Sequence, residues 1–346
     1  MPTAFIHDPP PQRLVFAPGA IGKVAEETAR LGIARALAIA TPGSGARLGA
    51  RVVAALGERA AGLHAQAVIH VPRDVAAAGL RATKEANADG LIAVGGGSAI
   101  GLAKAIAHDT ALPILAVPTT YSGSEATIIF GLSEGDRKVT ARDAKVLPRT
   151  IIYDPDLTRG LPPAVTAASG MNAIAHCVEV LWVPERTPAT VAFAIEGLRR
   201  FWRYLPRAVA DGEDAQARGE CLAAAWLAGA ALAAGNALHH KLAHVLGGYG
   251  LPHAETHAII LPHVTRFNLA EAADARSRLS EVTGADDPAG ALQALLAGFP
   301  IPQRLREVGF DRGRIDDAAA QIAALGITAP RAAGAAEIRV LLADAY

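Results

Sequence analysis

Residues 91–101 read LIAVGGGSAIG, which is an apolar run, three glycines and a serine, and then further apolar residues. The pattern predicts a buried strand that turns directly into a helix. Glycines let a backbone approach a phosphate closely, and the free N–H groups at a helix start bind anions. We therefore predict a pyrophosphate site at Gly95, Gly96, Gly97 and Ser98, with Ser98 capping the helix. The spacing is G-x-G-x-x-x-G rather than the common G-x-G-x-x-G, so the prediction depends on the strand and helix context.

Strand and helix patterns alternate on both sides of this turn. The predicted strands are 13–16, 36–40, 66–71, 91–94, 114–117 and 150–153, and the predicted helices are 20–31, 46–60, 75–88 and 99–107. Several strands are apolar on both faces, which is typical of a parallel sheet covered by helices. We predict an α/β domain over residues 1–155, with its ligand beyond the carboxyl ends of the strands.

Hydroxyl side chains follow the strand predicted at 114–117. Residues 118–125 read PTTYSGSE, and the candidate cofactor-binding residues in it are Thr119, Thr120, Ser122 and Ser124. Two neighbouring strand ends with phosphate-binding and ribose-binding groups favour a dinucleotide. Because Ser122 and Glu125 also fit a capping box, the alternative is that the hydroxyls only cap a following helix.

The strand predicted at 36–40 ends in Thr41 rather than in a carboxylate. Enzymes selective for NAD often place Asp or Glu after an early strand, where it binds the ribose 2′-hydroxyl. Without that carboxylate a 2′-phosphate is not repelled, so we predict that both NADH and NADPH are used.

The strand patterns stop after residue 163, and we predict an all-α domain over residues 156–346. Its predicted helices are 164–182, 188–204, 215–234, 238–246, 265–283, 288–297, 302–308, 314–324 and 335–345. The apolar stretch 221–238 is borderline in length for a membrane span, but it is rich in alanine and contains Asn236, which favours a buried helix.

Six of the 11 histidines lie in residues 239–264, HHKLAHVLGGYGLPHAETHAIILPHV: His239, His240, His244, His253, His257 and His263. His240 and His244 are four residues apart, as are His253 and His257, and Asn172 and His176 form a third such pair. On a helix this spacing places both side chains on one face. We expect the three pairs to line one wall of a cleft that has the nucleotide on its other wall. For any single histidine, a structural role with a backbone partner is the alternative.

Composition excludes several classes of protein. Basic and acidic residues balance at 33 each, so nothing favours nucleic acid or an anionic membrane as a partner. The two cysteines, Cys177 and Cys221, form neither a metal-binding pair nor a disulfide framework. The first residues lack a signal-peptide pattern, and we expect a cytoplasmic enzyme.

The motifs GGGSAIGLAKAIA, PTTYSGSEAT, GMNAIAHCVE, HHKLAHVLGG and LPHAETHAIILPHV occur in this order. Over about residues 10–270 the chain thereby resembles the iron-containing (group III) alcohol dehydrogenase superfamily, and within it the maleylacetate reductases. The resemblance implies a Rossmann-like NAD(P) domain followed by a helical domain, a fold shared with dehydroquinate synthase. It also implies a homodimer, and a nicotinamide-ribose contact at Lys138.

The resemblance further implies a metal-binding pattern at Asn172, His176, His240 and His253. Metal-dependent members have Asp at the first of these positions, and an amide is a poorer ligand that leaves the cation's charge uncompensated. Three imidazoles, His176, His240 and His253, could still hold Zn²⁺ or Fe²⁺. Asn172 is nevertheless the form associated with the maleylacetate reductases, and the resemblance therefore implies an enzyme that works without a metal.

The expected reaction is NAD(P)H-dependent reduction of the maleylacetate C=C to 3-oxoadipate, in the degradation of resorcinol, hydroxyquinol or chlorinated aromatics. We expect His244 to be the general acid, His240 and His253 to bind the oxyanion or the carboxylates, and Asn172 and His176 to orient them. Partial protonation of these histidines, with Lys241 and His257, would suit a dianion. The alternatives are a metal-dependent alcohol or glycerol-type dehydrogenase, a dehydroquinate-synthase-like lyase, and a non-catalytic nucleotide-binding protein.

Overall fold

The computed structural model describes residues 4–134, 137–328 and 330–346, and leaves out the side chains of 134, 137 and 138. It divides into two compact units. One is Pro9–Gly160, and the other joins the described residues before Pro9 to Leu161–Tyr346.

The first unit is built on a six-stranded parallel sheet. In chain order its strands are β1 (Arg13–Phe16), β2 (Ala36–Ala40), β3 (Ala60–His64), β4 (Gly90–Gly95), β5 (Ile114–Pro118) and, after a hairpin, β8 (Thr150–Tyr153). The order across the sheet is β1-β8-β5-β4-β2-β3, and all pairs are parallel. The predicted α/β parallel-sheet fold is confirmed.

Helices cover both faces of this sheet: α1 (Val24–Arg30), α2 (Ser44–Leu56), α3 (Arg73–Glu85) and α4 (Gly97–Thr110). Ile92 and Val94 of β4 pack with Val52 of α2 on one face. Leu91 and Ala93 of the same strand pack with Ile100 of α4 on the other face. The alternation of side chains along a strand therefore explains why β4 is apolar throughout.

Two details of the predicted sheet are wrong. The strand predicted at 66–71 is a loop, because the chain pairs with β2 earlier, over Ala60–His64, after α2 and the short 3₁₀ turn Gly57–Arg59. Ala67 and Val71 are buried in that loop, which accounts for its apolar pattern, and His70 and Val71 have positive φ values of 64° and 45°. The antiparallel hairpin β6 (Ile129–Glu134) and β7 (Arg137–Arg142) was not predicted.

The second unit is helical: α5 (Pro163–Val180), α6 (Pro188–Ala210), α7 (Ala215–Ala231), α8 (Leu238–Gly248), α9 (His253–Leu269), α10 (Ala273–Thr283), α11 (Pro288–Ala297), α12 (Ile315–Ala323) and α13 (Ala335–Ala345). The predicted all-α C-terminal domain is therefore confirmed. The helix predicted at 265–283 is wrong, because the chain breaks between Leu269 and Ala273 and α9 begins as early as His253. The helix predicted at 302–308 is only a short 3₁₀ turn, Leu305–Val308.

No single helix within the described residues has the length and apolarity needed to cross a membrane. Two successive helical segments, Ala215–Ala234 and Leu238–Gly248, have the required length and apolarity only when they are taken together, and the chain bends by 101° between them. Most of the stretch predicted as a buried helix is in α7, where Cys221, Leu222 and Ala225 are fully buried.

Candidate active site

Three adjacent strands end together at one edge of the sheet. Ala40 of β2 is in register with Val94 of β4, and Gly95 of β4 is in register with Pro118 of β5. From β2 the chain continues to β3, its neighbour on one side in the sheet. From β4 the chain continues to β5, which lies in the opposite direction across the sheet. Strand connections that diverge in this way open a crevice at the carboxyl ends, which is the usual ligand site of such sheets.

The glycine-rich turn lies at this crevice, between β4 and α4. Gly95 has a φ of 139°, which favours glycine. A Cβ on Gly96 would lie 2.8 Å from the Thr120 side chain, and Gly97 is exposed. Gly96, rather than Ser98, is the N-cap residue of α4, and no side chain caps the helix, so the predicted capping by Ser98 is wrong. The first N–H groups of α4 are thus left for an anion.

The hydroxyl-rich loop contacts the same turn. The backbone N–H of Thr119 donates to the Gly95 carbonyl at 3.2 Å, and Ser122 Oγ lies 3.8 Å from where a Gly97 Cβ would be. The loop continues into a short 3₁₀ turn, Ser124–Ala126, and then into β6. The alternative that these hydroxyls cap a following helix is therefore wrong. Thr41 follows β2 at the same edge.

Lys138 is on β7, opposite Ser133. Its side chain lies outside the described residues, so its predicted contact with the nicotinamide ribose stays a prediction.

In the helical unit, α5, α8 and α9 bring five of the predicted site histidines together. Ring centroids are 5.0 Å apart for His176 and His240, and 4.8 Å apart for His240 and His257. His253 lies 4.4 Å from His257, and its ring stacks on His244 at 6.3 Å. Asn172 is buried one turn before His176 on α5.

Glu179 of α5 lies behind His240 and has no exposed surface. Its carboxylate accepts the backbone N–H groups of His239, at 2.7 Å, and of His240, at 3.4 Å. These belong to the first turn of α8, where no residue of that helix provides a side-chain cap. The same carboxylate accepts a hydrogen bond from Nδ1 of His240. One buried carboxylate thus fixes both the start of α8 and the orientation of the His240 ring.

His239 lies behind His257 in a similar way. Its Nε2 is 2.9 Å from Nδ1 of His257, and both residues are fully buried. Nε2 of His257 and Nε2 of His240 are buried without a hydrogen-bond partner among the described residues. These two nitrogens are therefore available to a bound molecule.

Burial controls the protonation of the inner histidines. Desolvation, with the nearby rings of His240 and His239, holds the pKa of His176 well below its ordinary range. Desolvation also lowers the pKa of His239 to about 3 and that of His257 well below its ordinary range. The expected partial protonation is therefore wrong for His257, which is neutral near pH 7. Burial alone would raise the pKa of Glu179, but the charge and hydrogen bond of His240, together with His239 and the backbone of Ala237, lower it overall.

Two residues of the histidine-rich stretch do not join these rings. Lys241 is partly exposed and, next after His240 on α8, points about 100° around the helix axis from it. His263 lies on α9 near Arg266, Asp344 and Arg304, and burial lowers its pKa to about 4. Sequence reasoning missed Glu179 and His239 as site residues. The signal for Glu179 was its i,i+3 spacing from His176, which places both on one face of α5.

The donor set fits a divalent metal poorly. Within the part of the chain that the structure describes, no three His, Cys, Asp or Glu side chains are arranged to hold a metal ion. The side chains that would bind such an ion are His176, His240 and His253, and the fourth ligand would be the neutral amide of Asn172. An amide does not balance the charge of Fe²⁺ or Zn²⁺, so these four side chains would leave the charge of a bound ion uncompensated.

A glycine-rich turn at the carboxyl edge of a parallel sheet and a cluster of buried histidines in a helical unit are features of an oxidoreductase. The chain belongs to the iron-containing alcohol dehydrogenase family. The model of the iron-containing alcohol dehydrogenases matches residues 11–155, and that of the C-terminal part of the Fe-containing alcohol dehydrogenase family matches residues 166–346.

Within the family, the chain is similar to maleylacetate reductases. It is 43% identical to the maleylacetate reductase of Sphingobium indicum, over 94% of this chain and 92% of that protein. It is 45% identical to maleylacetate reductase 2 of Cupriavidus pinatubonensis, over 97% of this chain and 95% of that one. The crystal structure of maleylacetate reductase from Agrobacterium tumefaciens superposes with a TM-score of 0.93 at 38% identity, covering 99% of this chain and 98% of that one.

Proposed function

We propose that this chain is a maleylacetate reductase, an oxidoreductase that acts on a CH–CH bond of its substrate. The product is 3-oxoadipate, and the electrons come from NADH or NADPH. The observation that carries the proposal is the cluster of imidazoles around His240 and His257, with Asn172 where a metal ligand would need a carboxylate. The similarity to maleylacetate reductases over the whole chain supports it.

The chemistry requires an acid and an oxyanion site. Maleylacetate has a C2=C3 double bond conjugated to a C4 ketone and carries two carboxylates. The nicotinamide supplies a hydride, which this conjugation directs to C2. Negative charge then collects on the C4 oxygen as an enolate, and C3 must receive a proton. The side chains of this chain have to stabilise that oxygen and supply that proton.

His257 is suited to donate a hydrogen bond to the enolate oxygen. Its Nδ1 faces Nε2 of His239, so one hydrogen is shared between the two nitrogens. If His239 donates it, His257 carries its own hydrogen on Nε2, beside the rings of His240 and His253. The opposite arrangement would place an unpaired N–H on the fully buried His239, whose Nδ1 has no partner among the described residues. With an enolate oxygen at Nε2 of His257, the first tautomer pairs its N–H and the opposite one does not, so substrate binding favours the first and makes His257 a neutral donor.

His240 is suited to carry positive charge. The ionised Glu179 accepts from its Nδ1, and a buried carboxylate in that position stabilises the imidazolium form. The other nitrogen, Nε2, then donates to a carboxylate or to the enolate. His240→Ala should raise KM for the dianion and weaken its pH dependence. An unchanged KM and pH profile would contradict this role.

His244 is suited to be the general acid that protonates C3. It is partly exposed and can regain a proton from solvent, and its ring is 6.2 Å from that of His240. His253 stacks on it and provides a second donor. Asn172 and His176, both buried on α5, orient the reacting groups.

We assign the cofactor to the crevice at the ends of β2, β4 and β5. Gly95, Gly96, Gly97 and Ser98 would hold the pyrophosphate. The contacts with the nicotinamide ribose would come from Thr119, Thr120, Ser122, Ser124 and Lys138. With Thr41 and no carboxylate after β2, both NADH and NADPH can bind. No metal is required in this proposal, because the oxyanion is stabilised by imidazole donors.

A homodimer in the cytoplasm is the expected working form. β1 is an edge strand of the sheet, and it exposes Leu14 and Phe16 at 36% and 42%. An exposed edge with apolar side chains is suited to pairing with a second copy. Light scattering should show a dimer for the parent protein. The Phe16→Glu variant should dissociate at higher protein concentrations than the parent. A monomeric parent would contradict this expectation.

The proposed reaction is tested by following two isotopes. Maleylacetate is reduced with NADH deuterated at the transferable C4 position, and separately with ordinary NADH in D₂O. Magnetic resonance of the product should show deuterium at C2 of the former alkene in the first case and at C3 in the second. Deuterium on the carbon of a new alcohol would instead identify carbonyl reduction, the activity of an alcohol dehydrogenase.

A further inference from the structure

Lys104 lies in the middle of α4 and has no exposed surface. Its ammonium donates to the carbonyls of Ser124, Thr127 and Ile129, at 2.6, 2.7 and 2.8 Å. The hydroxyl of Thr127 accepts from it as well, at 3.0 Å. All three N–H groups of the side chain therefore have acceptors, and three of the four acceptors are backbone oxygens of one short segment.

A buried lysine in this position is costly and needs a specific reason. Burial lowers the pKa of Lys104 to about 7, an effect that the nearby carboxylate of Glu125 opposes. An apolar side chain would fill the same space without that cost. The hydrogen bonds show what the charge is used for, because no apolar residue could hold three carbonyls of a loop at once.

Lys104 holds the C-terminal end of the hydroxyl-rich loop 119–124, at Ser124, and the residues that follow it. The N-terminal end of the same loop is bonded to the glycine-rich turn, where the Thr119 N–H donates to the Gly95 carbonyl. Lys104 itself is on the helix that begins at this turn, two turns after Gly97. One side chain therefore connects the helix that would bind the pyrophosphate to the loop that would bind the adjoining ribose.

We propose that Lys104 is a positioning residue of the cofactor site, which holds the 119–124 loop in register with the start of α4. The proposal rests on the proposed cofactor site at these two elements. Loss of Lys104 should therefore weaken the binding of NADH more than the binding of ADP. ADP, which ends at its diphosphate, needs only the start of α4, whereas NADH also needs the loop.

The test compares the binding of ADP and NADH to Lys104→Met by calorimetry or fluorescence. Met matches the length of the lysine stem but donates no hydrogen bond. The dissociation constant for NADH should rise at least tenfold, and that for ADP should change less than twofold. Lys145→Met is the matched control: that lysine follows β7, has a side chain 57% exposed, and should leave both constants unchanged.

Thr127→Val gives a second variant that keeps the lysine and removes one acceptor. It should raise the dissociation constant for NADH about threefold, with ADP again unaffected, and it covers the case in which Lys104→Met does not fold. An equal loss of affinity for both ligands would overturn the proposal, because it would indicate general damage to the unit. Unchanged affinity for NADH in a folded Lys104→Met would also overturn it. A parent that binds neither ligand would refute the cofactor site itself, which is a separate result.

Discussion

Glu179→Gln tests the link between the buried carboxylate and His240. The variant keeps the shape of the side chain and can still accept the His239 N–H, now bonded at 2.7 Å. It cannot balance a charge on His240, and its amide would donate toward the ring nitrogen that now donates to Glu179. His240 would then move its hydrogen to Nε2 and lose the partner that stabilises its cation.

The size of the effect follows from that one hydrogen bond. A hydrogen bond to a charged group contributes about 1.5–3 kcal/mol. Each 1.36 kcal/mol is a factor of ten in rate, so kcat/KM for maleylacetate should fall about 10- to 150-fold. Most of the loss should appear in KM if His240 binds a carboxylate, and in kcat if it binds the enolate.

The assay is NADH oxidation with maleylacetate at several pH values, well below the melting temperature of both proteins. Glu196→Gln is the matched control, since Glu196 is on α6 of the same unit with a side chain 45% exposed. It should match the parent. A folded Glu179→Gln enzyme with kcat/KM within twofold of the parent would refute the role assigned to Glu179.

Three further predictions concern the histidine cluster of the helical unit and the proposed cofactor site. Stability should fall between pH 6.5 and about 3, because the unfolded chain binds protons there that the buried His239 does not. At pH 5 the buried His239 alone should lower the free energy of unfolding by about 2 kcal/mol, and His176 and His257 should lower it further. Equal stability to urea at pH 7 and pH 5 would contradict this prediction. Asn172→Asp should retain Zn²⁺ or Fe²⁺ after dialysis, and its activity on maleylacetate should be at least tenfold lower than that of the parent. Metal analysis and steady-state kinetics measure the two effects. A variant that retains no metal would contradict the role given to Asn172 in disfavouring a metal. Thr41→Asp should raise KM for NADPH at least tenfold more than KM for NADH, and equal changes would contradict the proposed place of the adenosine ribose.

The sequence predicted the parts of the fold that follow from local patterns. β2, β4, β5 and β8 are short apolar runs between turn residues, and each lies within a residue of its predicted position. The strand predicted at 66–71 failed because its apolar residues are buried in a loop, which periodicity cannot distinguish from a strand. The hairpin β6–β7 was missed because its second strand, RKVTAR, lacks the apolar run of a buried strand.

For the candidate site, the i,i+4 spacing predicted residues on each helix but not their partners on other helices. The three pairs on α5, α8 and α9 were predicted from spacing alone. The roles of Glu179 and His239 depend on contacts between residues 60 and 18 positions apart. Such contacts follow from how helices pack, which no local pattern contains. For the same reason the sequence suggested protonated histidines, whereas packing buries His257 and keeps it neutral.

The most direct test of the account is NADH oxidation by EDTA-treated enzyme of measured metal content, with maleylacetate and simple aldehydes assayed in parallel. The account predicts rapid turnover of maleylacetate and none of the aldehydes, at negligible metal content. Activity that is lost with the chelator, restored by Fe²⁺ or Zn²⁺, and strongest on aldehydes would contradict it.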